Sequence, residues 1–367
     1  MHSVSRIVSV SVQPWTLPLV SPFVIAARTA SEARNVRIEV ALENGQIGLG
    51  ASAPVGYVTG ESVESVLDAL HAVIPELIGL SAERLSLLLV RVNTALADAP
   101  AARAGLEMAL YDVWAKERTL PLWQHFGGAL DRVTTDVTIP IIDPPAASIL
   151  AAAAWADGFQ TLKIKVGDPL GPDADLARVE AVIRAVPRIR LRIDANQAFT
   201  PDAAVVFAAA LEKTGAAIDL LEQPVDRGDT SGLKYVRDHI SFPVFADESA
   251  RSVAEVLALL QAGAVDGINV KLMKSGITEA LQIIALTKAF GKKLMLGCML
   301  ETGVGIAAAA QIAAGTGAFD YLDLDSHRLL KPIAGLRGGY EVDGGELAME
   351  NSAGWGVTHD LERDWNK

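Results

Sequence analysis

The chain has 367 residues, half of them hydrophobic, and a formal net charge of −12 from 44 acidic residues against 32 lysines and arginines. That length exceeds a bare β/α barrel and leaves about a hundred residues for a second unit. The negative balance argues against nucleic acid or an anionic membrane as a partner, since either requires a basic face, and the single cysteine, Cys298, excludes an intrachain disulfide.

The first residues lead into alternating Val8, Val10 and Val12 rather than an unbroken apolar run, which predicts a cytoplasmic protein without a signal peptide. The Ala-rich stretch at 151–156 stops at Asp157, so no membrane span is expected. Residues 5–13 and 36–42 alternate apolar with polar, and Asn44-Gly45 supplies a tight turn before 48–51. Helices are predicted over 62–77, over 82–96, and where Leu106, Leu110, Val113 and Trp114 share one face. Residues 1–125 thus read as a compact α+β unit.

From Val133 onward strands and helices alternate. Candidate strands are 133–141, 161–166, 191–194, 217–222, 244–247, 267–271, 293–297 and 319–323, with helices such as 173–185 and 278–289 between them and a helix start at Thr200-Pro201. Because no eighth long helix follows, residues 126–335 read as a modified TIM barrel, (β/α)₇β, in the α/β class. Residues 336–367, rich in Gly with a lone Trp355, are expected to return to the N-terminal unit. The alternation also suits a doubly wound open sheet, but charge at successive strand ends favours the closed barrel.

Five strands end in charge. Lys165, Asp194, Glu222, Asp247 and Lys271 close successive apolar runs at steps of 24 to 29 residues, about one strand, one helix and two loops. At C-terminal strand ends they would converge on the face where barrel enzymes work. A lone Asp there is as readily the N-cap of the next helix. Three carboxylates at one barrel mouth, however, repel one another unless a cation neutralises them. Asp194, Glu222 and Asp247, with no His or Cys cluster beside them, suit Mg²⁺ better than Zn²⁺.

Lys163 and Lys165 are two apart on one strand and should share a face, with Lys271 across the carboxylates. Two ammonium groups and a metal are expected to depress a lysine pKa until one serves as a neutral base. A Mg²⁺ holding a substrate carboxylate between two lysines would let one remove the adjacent carbon-bound proton. The resulting enediolate would take a proton back from the other on the opposite face, inverting that carbon.

The segments Thr161-Leu162-Lys163-Ile164-Lys165-Val166-Gly167, Asp194-Ala195-Asn196, Glu222-Gln223-Pro224, Ala246-Asp247-Glu248-Ser249 and Val270-Lys271-Leu272-Met273-Lys274-Ser275-Gly276 together resemble the enolase superfamily, muconate-lactonizing subgroup. A lysine base with Mg²⁺ is the pattern already associated with that superfamily. The resemblance covers nearly the whole chain and implies a capping domain over the barrel. Leu322-Asp323-Leu324-Asp325 is similar to the Asp-x-Asp motif of dipeptide epimerases, which implies that Asp323 and Asp325 bind a substrate ammonium group. Period-two spacing would put both carboxylates on one face. By the same resemblance Thr138, Lys163, Asn196, Cys298 and Leu300 are implied substrate contacts. Many relatives carry an acidic residue where Gly50-Ala51-Ser52 stands, and a second Gly where Ile277 stands.

Capping loops expected at 20–29 and 54–61 would close over the substrate. Val20, Phe23, Val24, Ile25, Ala26, Ala27, Val55 and Tyr57, with Leu300, make that cover apolar and favour a hydrophobic C-terminal residue. Against this stands Arg28, at a position resembling the arginine that binds glutamate in Ala-Glu epimerases. The expected activity is Mg²⁺-dependent epimerisation of L-Ala-L-Xaa dipeptides with hydrophobic Xaa, with L-Ala-D/L-Glu epimerisation as the alternative. A cycloisomerase or o-succinylbenzoate synthase would share the metal and lysines but need no ammonium clamp. A noncatalytic binding protein would need no pair of bases. A homo-oligomer is compatible with all of these.

Overall fold

The structure, a computed structural model, describes residues 5–26 and 28–359. Eight parallel strands stand side by side in chain order: Val137–Ile139, Thr161–Lys165, Arg190–Asp194, Ala217–Glu222, Val244–Ala246, Gly267–Val270, Lys293–Gly297 and Tyr321–Asp323. Seven helices connect them, and after the eighth strand only the four-residue helix Ser326–Leu329 follows among the described residues. This is the predicted (β/α)₇β barrel rather than an open sheet.

Helix starts are set locally. Asp143, Thr200, Asp229 and Ser252 each accept a backbone N–H of the first helical turn, and Pro144, Pro172 and Pro201 occupy first helical positions where no N–H is needed.

The predicted strand over 133–141 is two strands. Arg132–Thr134 pairs with Glu346–Met349 in a small antiparallel sheet, and Val137–Ile139 begins the barrel. The break falls where Thr135 N donates to Gly345 O and Asp136 N to Leu322 O, so the chain changes sheets at that step.

The capping unit is an antiparallel sheet of Ile7–Ile25, Arg28–Leu42 and Ile47–Ser52, with helix Pro100–Lys116 packed against it. A Cβ at Gly50 would lie 2.0 Å from Gly105 O, so the helix backbone sits where a side chain would. That contact excludes an acidic residue at this position here. The expected loop at 20–29 is instead the end of the long hairpin formed by the first two strands. Pro14, Pro18 and Pro22 argue against a strand in the sequence, yet the first strand is an edge, where a missing N–H breaks no ladder. Ala27 lies outside the described residues, as do 360–367 of the expected C-terminal segment.

The hairpin leaves its own ladder between Pro18 and Phe23, where Leu19 bridges to Leu330 and Pro18 O accepts Lys331 N. Leu17, Leu19, Ala33 and Leu330 form a small apolar cluster there, separate from the main core. Elsewhere the capping unit is tied firmly to the barrel. The Glu107 carboxylate accepts Ile277 N at 2.5 Å and Thr278 N at 3.1 Å where helix Leu272–Ala289 kinks at Gly276. Trp355 is fully buried, its Nε1 donating to Met108 O at 2.9 Å. Among the described residues, no helix is long and apolar enough to cross a membrane.

Candidate active site

Alternation along the barrel strands builds the site in two layers. Arg192, Leu220, Phe245, Met295 and Tyr321 each stand two residues before Asp194, Glu222, Asp247, Gly297 and Asp323. Residues two apart share a face, so an interior layer in which Leu220, Phe245 and Met295 cluster with Tyr321 underlies a layer of charge.

Lys163, wholly buried, lies at the centre of that charge. Its Nζ stands 2.9 Å from Asp194 Oδ2, 2.9 Å from Glu222 Oε2 and 2.7 Å from Asp323 Oδ2. Lys165 Nζ donates to Asp194 Oδ2 at 2.5 Å, and Lys271 Nζ to Asp247 Oδ2 at 2.8 Å. Asp247 is held further by Lys274, which donates to its Oδ1 and backbone O, both at 2.7 Å. Asn269 Nδ2 donates to Glu222 Oε1 at 2.8 Å. Gly297 leaves room for the Lys271 chain, since a Cβ there would sit 2.9 Å from Lys271 Cε.

These contacts sort the carboxyls. Burial opposes ionisation of Asp194, but Lys163 and Lys165 outweigh it and hold its pKa low. Burial likewise opposes ionisation of Asp247, where Lys271 and Lys274 prevail. Glu222 is pushed up to about 8 by burial and then by the Asp194 charge, and Glu248 to about 7 by burial and then by Asp247. Asp325 is pushed up to about 6 by burial and then by Asp323. Among the protein's own groups, the balance at Lys163 and Lys271 favours the ammonium. Burial lowers both, yet Asp194 at Lys163 and Asp247 at Lys271 lead the carboxylates that raise them well above the usual value.

The donor set suits a divalent cation in charge and in kind, but among the described residues no three acidic groups already stand as a metal cluster, the Lys163 ammonium lying against Asp194 and Glu222. Asp194, Glu222, Asp247, Glu248, Asp323 and Asp325 face only four lysines, and the donor set is all oxygen. Glu222 Oε2, although near Lys163, is buried and outside hydrogen-bond geometry. A cation, unlike an N–H, imposes no such angle.

A cavity opens above this layer. Arg28, Thr138, Lys165, Asn196, Asp247, Lys271, Cys298, Leu300, Asp323 and Asp325 all line it, as the sequence led one to expect of a shared site. Lys163, Asp194 and Glu222 lie outside its lining, with the Lys163 ammonium enclosed by carboxylates. Asp323 and Asp325 do share the cavity, but not through strand alternation: the strand ends at Asp323, and Asp325 has a helical backbone (φ −95°, ψ −2°). Asp325 Oδ2 accepts Thr138 N at 2.6 Å. Asn196 Nδ2 donates to Glu248 Oε1 at 3.1 Å.

The roof is apolar, from Phe23, Ile25, Val55, Tyr57, Val58 and Leu329. Val20 takes no part and is 62% exposed, and Val24 uses its carbonyl to accept Ile141 N. The Arg28 guanidinium lies over the Tyr57 ring at 5.2 Å, within cation–π range. Sequence reasoning did not assign Glu248, Met299 and Leu329, which line the cavity, or Lys274 and Asn269, which hold its carboxylates. Glu248 and Lys274 stood in the motifs already quoted, one and three residues from Asp247 and Lys271.

A capped barrel whose mouth alternates lysines with carboxylates defines a proton-transfer enzyme of the α/β-barrel class. Residues 7–127 match the N-terminal domain of mandelate racemase / muconate lactonizing enzymes, and residues 147–363 match the enolase C-terminal domain-like family. The L-Ala-D/L-Glu epimerase of Thermotoga maritima is 37% identical over 95% of this chain and 99% of its own length. The hydrophobic dipeptide epimerase of Enterococcus faecalis is 38% identical over 96% of this chain and all of its own length. The crystal structure of the Enterococcus faecalis dipeptide epimerase complexed with Mg and L-Leu-L-Tyr superposes with a TM-score of 0.92, at 38% identity, over 96% of this chain and all of that one. The chain belongs to the dipeptide epimerase family of the enolase superfamily, a family of isomerases.

Proposed function

We propose that the chain is a Mg²⁺-dependent epimerase that inverts the α-carbon of the C-terminal residue of dipeptides, with preference for a hydrophobic residue there. The observation that carries the reading is the placement of Lys165 and Lys271 on opposite sides of one cavity whose floor is carboxylate and whose roof is apolar.

Asp194, Glu222 and Asp247 would hold the metal. When bound, Mg²⁺ supplies a Lewis acid for the substrate carboxylate and for the charge that grows when the α-proton leaves. The chain's own groups do the rest. Lys165 and Lys271 come from the second strand and the end of the sixth, four positions apart in a ring of eight, so they address the substrate from opposite faces. One, as the neutral amine, accepts the α-proton at its Nζ, and the other, as the ammonium, delivers a proton from its Nζ to the far face. Asp323 and Asp325 take the free ammonium, orienting the dipeptide by charge-assisted hydrogen bonds. The hairpin end and Tyr57 cover the side chain and exclude water.

Overall identity leaves the side chain open, since relatives named for glutamate and for hydrophobic dipeptides match this chain almost equally. The roof supports the hydrophobic reading: Phe23, Ile25, Val55 and Leu329 are apolar, and Arg28 beside them lies over the Tyr57 ring. Because Arg28 lines the same cavity, Ala-Glu epimerisation is the second reading. The test is α-deuterium incorporation in D₂O with Mg²⁺ over L-Ala-L-Xaa dipeptides, for the native enzyme and Arg28→Ala. Fastest exchange with hydrophobic Xaa, altered no more than about threefold by the substitution, supports the hydrophobic reading. Fastest exchange with Glu, lost in Arg28→Ala, replaces it with the second reading, and no exchange with any dipeptide refutes both.

A further inference from the structure

The eighth strand is only three residues long and has a regular ladder on one side alone, to the seventh strand. Toward the first strand four dissimilar bonds, one of them from the third strand, replace the ladder. Leu322 O accepts Asp136 N at 3.2 Å and Arg192 Nη1 at 2.6 Å. Leu324 N donates to Thr135 Oγ1 at 2.7 Å, and Asp325 Oδ2 accepts Thr138 N. The Asp323-Leu324-Asp325 segment is therefore placed largely by side chains.

Arg192 reaches this seam from the third strand, through the barrel interior. It is 6% exposed, its Nη1 also donates to Asp136 Oδ2 at 2.7 Å, and its guanidinium lies over the Tyr321 ring at 4.8 Å. One planar group thus fixes residues just before the first strand and within the eighth. A lysine could not match it, because a single ammonium lacks the rigid fork that meets a carbonyl, a carboxylate and a ring together. None of these contacts involves a cavity-lining atom of Arg192, which lies a layer below the site.

We infer that Arg192, with Asp136 and Thr135, is a positioning residue for ammonium recognition: it sets the backbone at Leu322 and so the separation and aim of the Asp323 and Asp325 carboxylates. The inference rests on the proposed role of those two aspartates as the clamp. Misplacement of about 1 Å is enough to weaken an oriented site by orders of magnitude, and the turn from strand to helix between Asp323 and Asp325 makes their separation depend on the backbone at that joint.

The test removes both buried charges together, as Asp136→Asn with Arg192→Met, so that neither is left unpaired. The variant is compared with the native enzyme on a preferred dipeptide and on its N-acetyl derivative, which lacks the ammonium, by α-deuterium exchange with Mg²⁺. The expected result is a folded protein whose kcat/KM for the free dipeptide falls at least tenfold, mainly through KM, while exchange of the acetylated compound changes less than twofold. An equal fall for both compounds, or none for either, overturns the inference. If the double variant fails to fold, Thr135→Val, which removes the acceptor for Leu324 N and the donor to Asp136 O, is expected to raise KM selectively for the free dipeptide by about threefold, and no selective rise overturns it. Asp323→Asn in the same assay isolates the parent reading: if it does not discriminate the two compounds, the clamp itself is wrong, whatever Arg192 does.

Discussion

Lys165 and Lys271 are bonded to different carboxylates of one row, Lys165 to Asp194 and Lys271 to Asp247, with the Lys163 ammonium against Asp194 and Glu222 between them. Each candidate base thus has its own anionic partner. Replacing Lys165 or Lys271 singly with Met is expected to abolish epimerisation, a loss of at least about 10²-fold as for other positioned acid–base groups. Deuterium exchange from one enantiomer should survive in each variant, from opposite enantiomers in the two. NMR of the α-proton with pure L,L and L,D dipeptides reads this directly, and full epimerase activity in either variant counts against the two-base assignment.

Glu222 bears on metal binding. Its pKa of about 8 keeps it largely protonated at pH 7, whereas a metal ligand must be the carboxylate, so Mg²⁺ binding should release close to one proton. Calorimetric titration at pH 7 in two buffers of different ionisation enthalpy measures that number. Chelation should abolish activity and added Mg²⁺ restore it. Saturation at a hundred times Kd should stabilise the fold by about 2.7 kcal/mol in denaturant titrations. Glu222→Gln should lose the proton release along with most of the affinity.

Asp325 gives a pH dependence whose sign follows from its raised pKa. Its carboxylate forms as pH rises through about 6 and is lost below, so ammonium recognition weakens in acid. KM for a free dipeptide should rise below pH 6 more steeply than KM for its N-acetyl derivative. Parallel profiles for the two would detach Asp325 from the ammonium.

Trp355 is a stability element without a part in the chemistry. The ring is fully buried, stacked on Phe126 at 6.1 Å, and its N–H is bonded to Met108 O. Trp355→Ala should cost about 3–5 kcal/mol in urea unfolding. Because it takes no part in lining the cavity, kcat of the remaining folded enzyme should be near native.

The barrel was legible because its inward positions alternate in the sequence: each of Asp194, Glu222 and Asp323 ends an apolar run, and a period of two fixes which neighbours share its face. The hairpin was not. A loop was expected at 20–29 where the hairpin ends, and only the sheet order reveals that Pro14, Pro18 and Pro22 stand on an edge strand. The sequence shows Lys163 beside Lys165 but not how closely Asp194, Glu222 and Asp323 would gather round one ammonium. Arg192 stood in the candidate strand 191–194, two residues before Asp194, yet its reach to the eighth strand is a long-range contact that no local pattern encodes.

The small cluster of Leu17, Leu19, Ala33 and Leu330 stands apart from the main core, and it supports the hairpin that carries Phe23, Ile25 and Arg28 into the roof. The hairpin part of the roof is therefore stabilised apart from the main core, to which Val55 and Val58 of the roof belong. A substitution in the hairpin draws on a few apolar contacts, whereas one at a barrel strand end disturbs a fully buried network of charge. The roof is the part of this enzyme open to variation, and a new preference can be acquired there without re-solving the problem of moving the proton.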